Sequence, residues 1–131
     1  MKSYILAAAA IVSAVSLSTP ARADEHPGLG EPLSAFHDLL KIDWHREAGP
    51  SRNRAACANI GQYILLSQDI VAEAAPHIVA EADWKPASRA LLDASVALGA
   101  YCSSAMDENV VAGLSTIHSR FHDLMALAET N

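Results

Sequence analysis

Six histidines, His26, His37, His45, His77, His118 and His122, are the residues of this 131-residue chain whose type and spacing point to chemistry. His118 and His122 stand four apart, so on a helix both imidazoles project the same way. Such a pair is a common half of a Zn or Cu site. The plainer alternative makes His26 and His77 solvated loop residues and the other four flanking positions on amphipathic helices. Enzymatic signatures are missing: there is no Gly-rich phosphate loop, no G-x-S-x-G elbow and no H-E-x-x-H, and the acids are scattered along helix surfaces. The expectation is a protein that is not an enzyme. Cys57 and Cys102 fit no zinc or c-type haem spacing, and in an oxidising compartment an even pair in a small domain is expected to form a disulfide.

The elements that must position these residues read as helices. Leu33, Phe36, Leu40 and Trp44 recur at helical spacing, which predicts a first helix over about 31–48 that Gly49-Pro50 stops. Ser51 is the expected N-cap of a second helix running to Pro76, with Cys57, Ile60, Ile64 and Val71 as its stripe and Leu65, Leu66 and Ile70 widening it. Pro76 either kinks that helix or starts a short new one. A third helix, 87–105, has Pro86 in its first turn and the stripe Leu91, Ser95, Leu98 and Cys102. Asp107 is the expected cap of the last helix, whose face carries Val110, Leu114, Ile117, Phe121 and Met125. The fold class is all-α, read as an up-down-up-down four-helix bundle with one interhelical disulfide.

In such a bundle the first and last helices are antiparallel neighbours. His37, about 9 Å from the start of the first, then comes level with His122, about 9 Å from the end of the last. His37, His118 and His122 are therefore the candidate metal ligands, at the end of the bundle opposite the bridge, with Asp38 and Asp123 as supporting partners or a fourth ligand. The segments Phe36-His37-Asp38-Leu39-Leu40 and Phe121-His122-Asp123-Leu124-Met125 echo one another.

Met1-Lys2, an apolar run from Tyr4 to about Leu17 and Ala21-Arg22-Ala23 have the three parts of a secretory signal peptide, so residues 1–23 are expected to be removed and Asp24 to become the mature N-terminus. Residues 24–32 form a flexible lead-in, and 33–130 a single helical domain. Loss of Lys2 and Arg22 leaves seven basic against fifteen acidic residues. That balance disfavours nucleic acid and anionic membrane surfaces. No membrane insertion is expected after cleavage.

Two resemblances touch the histidines. A first-helix histidine, Cys57-Ala58-Asn59-Ile60-Gly61 and the His118/His122 pair are similar to the chemoreceptor-type zinc-binding bundle, a cytoplasmic family, which implies three histidines and a cysteine around zinc. The placement of His37 and His122 resembles that of the haem ligands in exported four-helix b-type cytochromes, where the first-helix ligand is methionine. No methionine stands in this first helix. The leading functional expectation is an exported, periplasmic, non-enzymatic binding or accessory protein acting on another envelope protein such as a sensor or transporter. A Zn, Cu or haem binding protein using His37, His118 and His122 is the first alternative, and an envelope or acid-stress chaperone the second.

Overall fold

Glycine and proline decide where the first two helices of the described residues begin, and a polar contact to buried Asp43 marks the break between the second helix and the third. The computed structural model describes residues 30–104 and 106–129. The expected signal peptide, its cleavage site and His26 lie outside the described residues. Helix α1 spans Glu31–Trp44, with Pro32 in a first-turn position whose N–H would have no helical partner. It ends earlier than the apolar spacing predicts. The N–H of His45 closes on the Lys41 carbonyl at 3.2 Å and that of Arg46 on the Asp43 carbonyl at 3.4 Å, tightening the last turn. Gly49 then adopts φ 144°, a conformation that disfavours any side chain, and it rather than Ser51 is the N-cap of α2, Pro50–Ala58.

The expected second helix is two. Helix α3, Ile60–Ala72, follows α2 directly, and Asn59 at φ −92°, ψ 1° marks the break. Asn59 turns its side-chain amide to Asp43 of α1, donating to both carboxylate oxygens at 3.2 and 2.9 Å. The chain leaves α3 at Ala72, because Glu73 is extended, and Pro76 lies in a connecting turn instead of kinking or starting a helix. Glu81 accepts from the Ala75 N–H at 2.8 Å across that turn. Helix α4, Glu81–Ser104, accordingly begins five residues before Pro86, and the buried Trp84 pins its first turn to the core. Helix α5 is Asp107–Glu129; Asp107 is its first residue, and the Met106 carbonyl receives the N–H groups of Asn109 and Val110.

The described residues are all-helical, without a strand. Helix α4 lies along both α3 and α5, while α1 rests on α3 and is flanked by α2 and α5. The centre is aromatic. Phe36 stacks on Phe121 with centroids 5.6 Å apart and meets the ring of Tyr63 edge-on at 5.4 Å. Leu33, Leu40, Ile70, Leu91, Leu98, Leu114, Ile117 and Leu124 complete the core. The stripe read for α5 is buried as expected, and so are Leu91, Ser95 and Leu98 of α4, while Cys102 is partly buried. In α3 the buried face is Tyr63, Ser67 and Ile70, while Leu65 is exposed. That face is part polar: the hydroxyls of Ser67 and Ser95 meet at 2.9 Å between α3 and α4 and also bond to their own helices. Small hydroxyls there let the two backbones approach.

Cys57 of α2 and Cys102 of α4 form a disulfide with Cα atoms 5.5 Å apart. Such bridges persist in oxidising compartments, which points to an extracytoplasmic location. Among the described residues no helix is long and apolar enough to cross a membrane. Close packing of α5 on α4 depends on Gly113, where a Cβ would lie 2.9 Å from Cδ2 of Tyr101 and 3.1 Å from Cδ1 of Leu98. Gly113→Ala is therefore expected to lower stability by about 1–2 kcal/mol through overpacking, despite alanine's better helix propensity. Urea unfolding at neutral pH measures it, and a variant as stable as the parent would show that α4 and α5 separate freely.

Candidate functional site

Helices α1 and α5 diverge enough to leave an open cleft of about 370 Å³ between them. Its apolar surface comes from Leu40, Trp44, Phe121 and Met125, and its polar surface from four histidines, His37, His45, His118 and His122, with Lys41 and Glu129 at the rim. Helical periodicity accounts for the membership. Residues 37, 40, 41 and 44 of α1 with its C-cap His45, and 118, 121, 122, 125 and 129 of α5, step by three or four and so share one side of each helix.

The rings form a connected set. The indole of Trp44 lies flat against His118, centroids 3.9 Å apart and planes 10° from parallel, and the Arg52 guanidinium of α2 sits over the same indole, 5.4 Å from its centroid. His118 meets His122 edge-on at 4.5 Å, with their Nε2 atoms 3.2 Å apart. Phe121 touches both remaining walls, stacking with His37 at 5.6 Å and meeting His122 edge-on at 6.2 Å. The echo between residues 36–40 and 121–125 thus has a spatial meaning. Its two phenylalanines stack in the core and its two histidines flank them in the cleft.

Burial pulls the His118 imidazole below its ordinary pKa of 6.5, and the neighbouring His122 and His45 add to this because a second positive charge beside them is unfavourable. A histidine whose pKa falls on folding takes up its proton more readily in the unfolded chain. Its stabilising contribution is complete above the unfolded value near 6.5 and is lost as pH falls below that. The groups facing it are His37 and Lys41 of α1 and its C-cap His45, His122 and Glu129 on α5, and Arg52 of α2 through Trp44. Between pH 7 and pH 5 the protein is expected to lose more stability than its His118→Gln variant does. Urea midpoints measured across that range test it, and parallel losses would remove His118 from the account.

Of the ligands expected from sequence, His118 and His122 are in contact and His37 shares their cleft. Among the described residues no group of three or more His, Cys, Asp or Glu side chains is placed to hold a metal ion. His37 lies with its ring against Phe121 and its Nδ1 3.9 Å from the Asp38 carboxylate. Asp123 pairs with Arg120 at 3.2 Å on the exposed side of α5. Cys57 is held in the disulfide, so the cysteine ligand that the zinc-bundle resemblance implies is not available. His77 is exposed in the turn after α3. The sequence pattern makes Trp44 a core position and counts His45 among the six histidines without placing it with the candidate ligands, and nothing in it marks Arg52. Their helical offsets from Leu40 and His37 carry the signal for His45, but Arg52 reaches the cleft only because α2 folds back beside Trp44.

Comparison with known proteins finds no matching family profile, no matching curated sequence and no matching solved structure. The fold and the cleft define a disulfide-bridged all-helical protein with an imidazole-lined groove between its first and last helices.

Proposed function

We propose that this chain is a non-enzymatic binding protein of the periplasm, delivered there by cleavage of residues 1–23, and that it engages another envelope protein through the α1/α5 cleft. Taken together, α2 and α3 serve as one leg of an up-down four-helix arrangement in which α1 and α5 are the neighbours that frame this groove. The observation that carries the reading is the composition of the cleft: Trp44, Phe121 and Met125 beside four imidazoles, with Arg52 stacked behind. Aromatic, methionine and arginine side chains are what protein-binding hot spots are built from, and they offer adaptable apolar area with a few polar anchors. The disulfide supports export, and the acidic balance of the chain supports a protein rather than a nucleic acid or anionic lipid as partner.

A photo-crosslinking residue placed at His122, on the cleft, and separately at Leu65, on the exposed side of α3, tests this in the native envelope. The expected result is a discrete envelope-protein adduct from position 122 that is absent from position 65. Equal adducts from both, or none from position 122, would overturn the reading.

A further inference from the structure

His118 and His122 place two Nε2 atoms 3.2 Å apart on the cleft side of α5. Two nitrogens bound tetrahedrally to one ion at about 2.0–2.1 Å lie roughly 3.3 Å from each other. The nitrogen spacing matches that distance, while the ring centroids, 4.5 Å apart where a shared ion calls for about 5.2 Å, require His122 to turn about its side-chain bonds with the helix unchanged. A head-on hydrogen bond between the nitrogens fits less well. With centroids 4.5 Å apart and nitrogens 3.2 Å apart, only 1.3 Å remains for the two ring radii along that line, less than two imidazoles facing each other require. At least one nitrogen points well away from its neighbour. Trp44, flat against His118, holds that ring in its orientation, and Arg52 backs the indole. His118 is thus fixed from behind, while His122 is exposed beside it on the cleft.

From this geometry we infer that His118 and His122 chelate one divalent transition-metal ion, of the zinc or copper class, through their two Nε2 atoms, with its remaining coordination positions open to the cleft. His37 is not a ligand in this arrangement. Its ring lies against Phe121, and it forms part of the wall beyond the open positions. Water fills those positions in the isolated protein, and a donor group entering the cleft replaces it. Binding breaks only metal–water bonds and forms two metal–nitrogen bonds, with both imidazoles as neutral N-donors and no change of oxidation state. The inference does not depend on the partner reading above, since a metal can bind the isolated protein whether or not another protein visits the cleft.

Calorimetric titration of the disulfide-intact protein with Zn(II) tests it, because zinc brings no redox chemistry. The same titration of the His26→Ala variant accounts for the histidine nearest the amino terminus. The expected result is one equivalent bound, weakened at least about tenfold, or about 1.4 kcal/mol, by His122→Ala and by His118→Gln. His77→Ala and His37→Ala should each stay within about threefold of the parent. Because His122 is exposed, its replacement leaves the core untouched, and an unchanged helical far-ultraviolet spectrum confirms that the loss is not unfolding. Co(II) in place of zinc should give visible d–d bands that disappear in His122→Ala. Undiminished zinc binding in either pair variant, a His37→Ala loss as large as that of His122→Ala, or no binding by the parent would each overturn the assignment.

Discussion

Replacing Cys57 or Cys102 with serine is expected to lower the unfolding free energy by about 2–5 kcal/mol. The bridge spans a sequence separation of 45 and ties α2 to α4, two helices whose contact with each other is slight compared with the packing of α4 on α3 and α5. Beside the bridge, α2 is held by its C-cap Asn59 on Asp43 and by Asn53 in its first turn, whose amide lies 3.5 Å from the Asp107 carbonyl. Its helix carries only Asn53 and Ala56 as buried residues, too little apolar area to anchor nine residues alone. The chain-entropy account puts the constraint on the unfolded state at about 4 kcal/mol for a loop of this length. Guanidinium unfolding of the parent, the Cys57→Ser/Cys102→Ser double variant and the reduced parent measures it. The last two should agree with each other and fall well below the oxidised protein. A double variant with the parent's midpoint would mean that α2 is secured by packing alone. Since α2 also carries Arg52, loosening it should free the Trp44 indole and shift its fluorescence, linking the bridge to the back of the cleft.

What could be read from residue pattern and what could not separate along a physical line. Periodicity worked wherever a helix buries an uninterrupted apolar stripe. Leu91, Leu98, Leu114, Ile117 and Phe121 are buried as their spacing implies, and the cysteine pairing followed from helix order and compartment. It failed in α3, whose inner face is mostly polar, although the single buried Ser95 of α4 did not hide that stripe. Tyr63 and Ser67 hold the inner face of α3, so a stripe sought among aliphatic residues settled one step aside and took in the exposed Leu65. Boundaries failed for related reasons. Glycine and proline signal that a helix is interrupted, but whether Gly49 ends one helix or caps the next, and whether Pro86 opens a helix or lies within it, depends on contacts made far away in sequence. The candidate site was legible in part. Spacing brought His118 and His122 together and antiparallel reasoning put His37 in the same cleft, whereas the stacking of Trp44 and Arg52 is a property of how α2 packs.

Asp43→Ala is expected to be the most damaging single change away from the disulfide, costing about 2–4 kcal/mol. Asp43 is fully buried in the last turn of α1, where its carboxylate accepts three hydrogen bonds. Two come from the Asn59 amide at 3.2 and 2.9 Å and one from the Tyr63 hydroxyl at 2.9 Å, while Arg46 Nε approaches at 3.7 Å. The cluster is therefore the polar joint of three helices: α1 supplies the acceptor, the α2/α3 break supplies the amide, and α3 supplies the phenol. Burial and the adjacent carboxylate push the Tyr63 hydroxyl far above its ordinary pKa of 10, so it remains a donor at any working pH. Alanine removes every acceptor at once and leaves a buried phenol and a half-buried amide without partners, which is where the cost arises. Tyr63→Phe deletes one donor and spares the other, so its cost should be only about 1–2 kcal/mol. Asp43→Asn keeps the volume but turns its own NH₂ toward the Asn59 donors, and it should fall between the two. The double variant Asp43→Ala/Tyr63→Phe should cost less than the sum of the singles, by roughly 0.5–3 kcal/mol, because the second change removes the group that the first orphaned. Urea unfolding of the four proteins supplies the cycle. Strict additivity, or a loss below about 0.5 kcal/mol for Asp43→Ala, would show that water enters the joint and satisfies it, and that the bend at Asn59 is set by the surrounding core instead.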